Sequence, residues 1–312
     1  MTTTVATLIL IAGITLAPAA RASDDRLAGS LTCVGSDTAS ALVTRWASEF
    51  QLLHPLARIQ VQAAGSASAP LALTAGAADI GSMSRPMSAE EETNFRHRYG
   101  YAPTRLVIAR DAIVVFVHPE NSLQRITLAE LDAVYSTTRR CGAPRPIRHW
   151  SDLGADTRSG FGATQILAAG RSASSGTREI FRESALCGGA FRPEIIAWPG
   201  NGAIVGTVAM NREAIGYAGI GYINGLVKPL ALARSERDAG VVPDSASVTD
   251  GSYPLSRALY LYINRPPQRA LAELPTAFIE YALSEQGQTL VRQEGFVPLA
   301  VDERRAQRSI LE

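Results

Sequence analysis

Lysine is nearly missing from this chain: Lys228 is the only one among 30 basic residues, and the rest are arginine. Schiff-base chemistry and a phosphate-cradling P-loop lysine are therefore excluded unless that residue supplies them. A charge excess is missing too. With 30 basic against 29 acidic residues, the composition offers no basic surplus for nucleic acid or anionic membrane. Histidine is sparse: His54, His97, His118 and His149 are scattered, and no H-E-x-x-H, paired Cys/His spacing or G-x-S-x-G accompanies them. Clustered carboxylates are likewise missing from the polar turns described below, so neither a metal site nor a cofactor is expected. After the first residues, no segment is apolar over the roughly 20 residues that a membrane span needs.

What remains is an ordinary soluble composition, 46% apolar and 19% charged, in 312 residues, enough for two domains. The apolar run from Ala6 to Leu16, followed by Pro18-Ala19-Ala20-Arg21-Ala22, reads as a secretory signal over residues 1–22 with an A-x-A cleavage site. A buried N-terminal helix or strand is the competing reading, and no Lys or Arg precedes the run. Cleavage after Ala22 removes Arg21 and leaves 29 basic against 29 acidic residues, so any anion site must be local. The three cysteines suit export. Cys141 in a loop-like stretch and Cys187 after a helix are expected to form the one disulfide. Cys33, within the strand-like Leu31-Thr32-Cys33-Val34, is expected to stay free as a small buried residue.

The chain is arranged around Arg171-Ser172-Ala173-Ser174-Ser175-Gly176-Thr177, which runs into a helix. A helix entered through Ser175, Gly176 and Thr177 points its first unpaired N–H groups and the positive end of its dipole outward, where a tetrahedral oxyanion fits. Arg171 adds a planar fork of donors. The plainer reading is an ordinary Ser/Thr helix cap. Similar units precede it. Gly29 to Val34 reads as a strand that breaks at Gly35-Ser36-Asp37-Thr38 before the helical stripe Ala41, Leu42, Val43, Trp46, Ala47 and Phe50. Ile59 to Gln62 alternates as a strand, ends in Ala64-Gly65-Ser66-Ala67-Ser68, and leads to an apolar stretch from Leu71 to Ala78. Asp79-Ile80-Gly81 exits through Ser82-Met83-Ser84-Arg85-Pro86. In open α/β sheets ligands bind beyond the carboxyl ends of strands, where these turns can converge.

Leu106 to His118 is the most β-branched apolar run and reads as a central strand, long enough to pass between domains. Ile126 to Tyr135 reads as a helix capped through Thr127, Gly202 to Asn211 as another, and Ile215 to Tyr222 as a glycine-interrupted strand. The polar stretch 234–251 reads as a surface connection, and Tyr253 to Ile263 as the return strand. Helices over 271–283 and 287–293 close the chain, with Phe296 to Leu299 as an extended tail.

With these residues in view, the chain resembles the periplasmic phosphate-binding proteins of ABC transporters, the PstS-like family of two-domain solute receptors. The marks are GSDT at 35–38, AAGSASAP at 63–70, ADIGSMSRP at 78–86, RSASSGT at 171–177, AIGYAGIGY at 214–222, YPLSRALYLYIN at 253–264 and EGFVPL at 294–299. The resemblance implies an α/β, type II binding-protein fold, with two domains joined by two crossing strands and phosphate in the cleft. One domain is expected over 24–110 plus 250–312 and the other over 111–249. It places phosphate contacts on Ser36, Asp37 and Thr38, on Ser66, on Ser84 with Arg85 behind it, and on Arg171, Ser175, Gly176 and Thr177. It further implies a periplasmic monomer that passes phosphate to an inner-membrane ABC permease.

One departure stands out. Many members carry an aspartate where this chain has Ser84, and that aspartate accepts the proton of hydrogen phosphate. Asp37 is expected to take over the role, with Arg85 paired to a neighbouring carboxylate or to the ligand; helix capping by Asp37 is the plainer alternative. Two other functions compete with the receptor: a phosphatase-like enzyme with Ser175 or Thr177 as nucleophile, and a secreted matrix or adhesion protein that keeps the fold.

Overall fold

The computed structural model describes residues 27–155 and 161–312, and the expected signal segment lies outside the described residues. The chain opens with three strand-turn-helix units: β1 (Gly29–Gly35) with α1 (Asp37–Leu53), β2 (Ala57–Gln62) with α2 (Ser68–Ala75), and β3 (Ile80–Met83) with α3 (Ala89–Tyr99). α1 buries Leu42, Val43, Trp46, Ala47 and Phe50, the stripe its spacing predicts. Apolar periodicity does not foretell α3. That helix is polar, buries only Phe95, and starts at a capping box in which Ser88 and Glu91 satisfy each other's backbone N–H groups.

β4 (Thr104–Val117) follows, then β5 (Arg125–Thr127), α4 (Leu128–Tyr135), β6 (Leu167–Arg171), α5 (Gly176–Ala185), β7 (Ile196–Trp198), α6 (Asn201–Met210), β8 (Ala214–Gly219), β9 (Lys228–Pro229), β10 (Ala231–Ala233) and α7 (Ser245–Thr249). The return strand β11 (Ser256–Ile263) leads to α8 (Glu273–Ala282), α9 (Glu285–Gln293) and α10 (Val301–Ser309). Several boundaries differ from the pattern. The helix expected from Ile126 begins at Leu128, because Ile126 pairs within β5 and Thr127 is the cap. The strand expected through Tyr222 stops at Gly219 and tightens into a 3₁₀ turn. The return strand starts at Ser256 and not at Tyr253, whose hydroxyl turns inward to donate to the Ile113 carbonyl at 3.1 Å. The polar connection 234–251 contains α7, with Ser247 and Val248 buried.

The main sheet has the order β2-β1-β3-β11-β4-β8-β6-β7, with β9 beside β4. Its two ends are parallel, while β11 and β4 run antiparallel to their neighbours. β4 serves both halves: Thr104 to Ala112 pair with β11, and Ile113 to Val117 pair with β8. The apolar interior divides accordingly. One core contains Leu31, Trp46, Leu106, Ala109, Leu259 and Phe278; the other contains Ala112, Val114, Trp150, Phe181, Ile215 and Leu255. These are two α/β lobes joined by β4 and β11. Cys141 and Cys187 form a disulfide in the second lobe, with Cα atoms 5.5 Å apart, and Cys33 is free and buried. Among the described residues no helix is long and apolar enough to cross a membrane.

Candidate functional site

The polar turns meet where the lobes face each other. The turn after β1 is shaped by Gly35, whose φ of +146° suits glycine and whose added Cβ would lie 2.0 Å from the Ser82 carbonyl oxygen. That contact lets Ser36 N–H donate to Ser82 O at 2.8 Å, tying the first turn to the third. Ser36, rather than Asp37, is the cap of α1: its Oγ accepts from Ala39 N. Asp37 is the first helical residue, so its carboxylate is left to face the other lobe.

There it meets Arg171 at the end of β6. Arg171 Nη2 donates to Asp37 Oδ2 at 3.0 Å and to Pro199 O at 2.7 Å. Asn201 adds two donors to the same oxygen, from its backbone N at 3.0 Å and its Nδ2 at 2.7 Å. Arg171 is only 1% exposed, yet its Nε and Nη1 have no hydrogen-bond partner among the described residues. Burial works against its charge and holds the guanidinium below its ordinary range, with Asp37 acting in the opposite direction. A buried cation with donors left over is built to receive an anion.

The hydroxyls close around this group. Ser175 caps α5, accepting from Arg178 N. Thr177 Oγ1 lies 2.8 Å from Thr38 Oγ1 across the lobes. Ser66 Oγ lies 3.2 Å from Ser84 Oγ and accepts from Ser84 N at 3.1 Å. Gly176 sits against both serines: an added Cβ would be 2.5 Å from Ser66 Oγ, 2.8 Å from Ser66 Cβ and 2.9 Å from Ser84 Oγ. Any side chain there would hold the lobes apart. All ten residues expected from the sequence are thus at the lobe junction, and apart from Asp37 all are buried.

Arg85 is placed differently from the hydroxyls. Its two Nη atoms grip Glu91 at 2.7 Å each, and its Nε faces Glu179 on α5 in an ion pair that crosses the lobes. Burial opposes its charge, but Glu91 and Glu179 outweigh that and hold it more firmly protonated than usual. Its partners are neighbouring carboxylates.

Several participants escape a reading by turns. Asn201 opens α6 and bridges Asp37 and Thr38; its helix starts at Gly200 without a side-chain cap, unlike the serine-capped starts of α1 and α5. Tyr222 donates to Asp37 O at 2.8 Å; burial and the neighbouring Asp37 push its hydroxyl up to about 12. Tyr217 and Tyr253 are fully buried core residues. Asp111 and Arg257, facing each other on β4 and β11, form a buried pair beside Thr177. Part of the signal was available: Arg257 is the one charge in β11, and Asp111 stands beside Arg110 at the point where β4 turns continuously apolar.

A family model described as the PBP superfamily domain matches residues 20–286. The phosphate-binding protein PstS of Pseudomonas aeruginosa is 42% identical over 273 residues, covering 88% of this chain and 84% of that protein. Among solved structures, a Clostridium perfringens substrate-binding protein assigned to a phosphate ABC transporter, with bound phosphate, superposes with a TM-score of 0.73 at 25% identity, covering 87% of this chain and all of the other. An ABC-type phosphate transport receptor from Vibrio cholerae shares the fold, with a TM-score of 0.66 at 23% identity over 86% of this chain and all of its own.

Proposed function

We infer the function from one premise: this chain belongs to the PstS-like family of phosphate-binding proteins within the PBP superfamily. It is a solute receptor that captures inorganic phosphate between its lobes and delivers it to an inner-membrane ABC permease, acting as a monomer in the periplasm after removal of residues 1–22. The observation that carries this reading is Arg171, a buried guanidinium with unpartnered nitrogens beside the N-terminus of α5. Thr38, Ser66, Ser84, Ser175, Gly176 and Thr177 supply the neutral donors, each charge-assisted hydrogen bond being worth about 1.5–3 kcal/mol. Ser36 and Arg85 act one step back, the first as the cap of α1 and the second as a tie between β3 and α5. Residues 24–110 with 250–312 make one domain and 111–249 the other, a division supported by the parting of the cores between Ala109 and Ala112 and between Leu255 and Leu259.

Chemistry weighs against turnover. The hydrogen-bond partners of Ser175 Oγ and Thr177 Oγ1 among the described residues are a backbone N–H, a threonine and an arginine, none of which is a general base. Incubation of the purified protein with labelled phosphate and with a chromogenic phosphate ester tests the reading. One phosphate captured per chain without ester cleavage is expected; multiple turnovers would make it an enzyme.

Selectivity against sulfate falls to Asp37. Oδ2 takes the donors named above, and among the described residues Oδ1 takes none, leaving an acceptor for the proton that hydrogen phosphate carries and sulfate lacks. Asp37→Asn is expected to shift competition toward sulfate by on the order of 10-fold, about 1.4 kcal/mol. Equal weakening toward both anions would assign discrimination to another residue.

A further inference from the structure

The second charged pair at the junction has no role in the reading above. Asp111 is completely buried on β4, and the side chain of Arg257, directly across from it on β11, is 5% exposed. Arg257 reaches Asp111 Oδ2 through Nε at 2.8 Å and Nη2 at 2.7 Å. Asp111 Oδ1 accepts from Ile220 N at 3.0 Å, which fixes the carboxylate from a third element. An ion pair this deep is a poor source of stability, because desolvating both charges offsets most of their attraction. Its geometry points elsewhere. Arg257 Nη2 also donates to Thr177 Oγ1 at 3.0 Å, the hydroxyl that touches Thr38, and Nη1 is buried with no partner among the described residues. The guanidinium is also close enough to Arg171 for the two charges to oppose each other.

We propose that Arg257 is a second guanidinium of the anion site, donating from its Nη edge to the same bound phosphate as Arg171, with Asp111 as the positioning residue that holds it. This rests on the phosphate-receptor reading and extends it. Each guanidinium then has one fixed countercharge, Asp37 for Arg171 and Asp111 for Arg257, so these two pairs together carry no net charge without ligand and tolerate their own burial. A compact tetrahedral dianion brings the hydrogen-bond acceptors that both forks lack. Because the pair sits on the two strands that join the lobes, the ligand is gripped from the hinge as well as from the turns.

Calorimetric titration with inorganic phosphate tests this on three proteins. The unmodified chain should bind. Arg257→Gln alone leaves Asp111 buried without its partner and is expected to destabilise the fold for that reason, so the informative variant is Arg257→Gln combined with Asp111→Asn, which removes both charges and keeps hydrogen-bonding groups in place. That double variant should unfold at a temperature close to the unmodified protein's and bind phosphate about 10- to 150-fold more weakly. Asp111→Asn alone, which retains the guanidinium, should bind more tightly than the double variant. A folded double variant with unchanged affinity would confine the pair to a structural role and overturn the proposal. No phosphate binding by the unmodified chain would overturn the receptor reading itself, and this inference with it.

Discussion

Arg171→Ala is expected to weaken phosphate binding about 30- to 5,000-fold, the equivalent of about 2–5 kcal/mol, while the protein stays folded. The upper end is favoured by what remains. Without the guanidinium, Asp37 keeps only the donors of Asn201 and faces the incoming anion as an uncompensated negative charge. The fold should survive because Arg171 spends one nitrogen on protein partners and leaves two unpartnered, so its deletion breaks few pairings, and the space left by this buried side chain lies among polar groups at the lobe junction and outside the apolar cores. Calorimetry at constant pH and salt, with an unfolding curve for each protein, separates the two effects. Unchanged affinity in a folded variant would place the anion elsewhere.

Removing the disulfide should have the largest effect on stability. Cys141 and Cys187 are separated by 46 positions, and closing a loop of that size restricts the unfolded chain by about 4 kcal/mol in the chain-entropy account. Replacing both by serine is therefore expected to lower the melting temperature of the second lobe by roughly 10 °C. Phosphate affinity should change little. The bridge lies just past the C-terminal end of α5, whereas the proposed anion site is at its N-terminal end. Peptide mapping without reductant should return Cys141 linked to Cys187 and a free Cys33. Exchange through Cys33 is disfavoured because burial pushes its thiol up to about 12, leaving almost no thiolate at neutral pH. A bridge that includes Cys33 would contradict the assignment.

Much of this architecture is local and so is written in short stretches of sequence. The stripe in α1, the β-branched run of β4 and the Ser/Gly/Thr entry of α5 each depend on residues within one or two turns of each other, and the structure returns them with shifts of a few positions. Polar α3 and α10 leave no apolar signature, since the first buries only Phe95 and the second buries nothing. The S-x-x-E at Ser88 was the legible trace of α3.

The four turns could be found one by one because each carries its own hydroxyls at the end of a strand whatever it faces. Which charges are neutralised could not. Asp37 and Arg171 are 134 positions apart, Asp111 and Arg257 are 146 apart, and nothing within either strand or turn states its partner. Arg85 illustrates the same limit, because Glu91 is set by the adjoining helix cap while Glu179 arrives only when the lobes meet. Chain sequence dictates dihedral preferences and apolar periodicity over short range; the crossing of β4 and β11 and the approach of the lobes decide which buried charges share a dielectric and hence which arginines keep donors for a ligand.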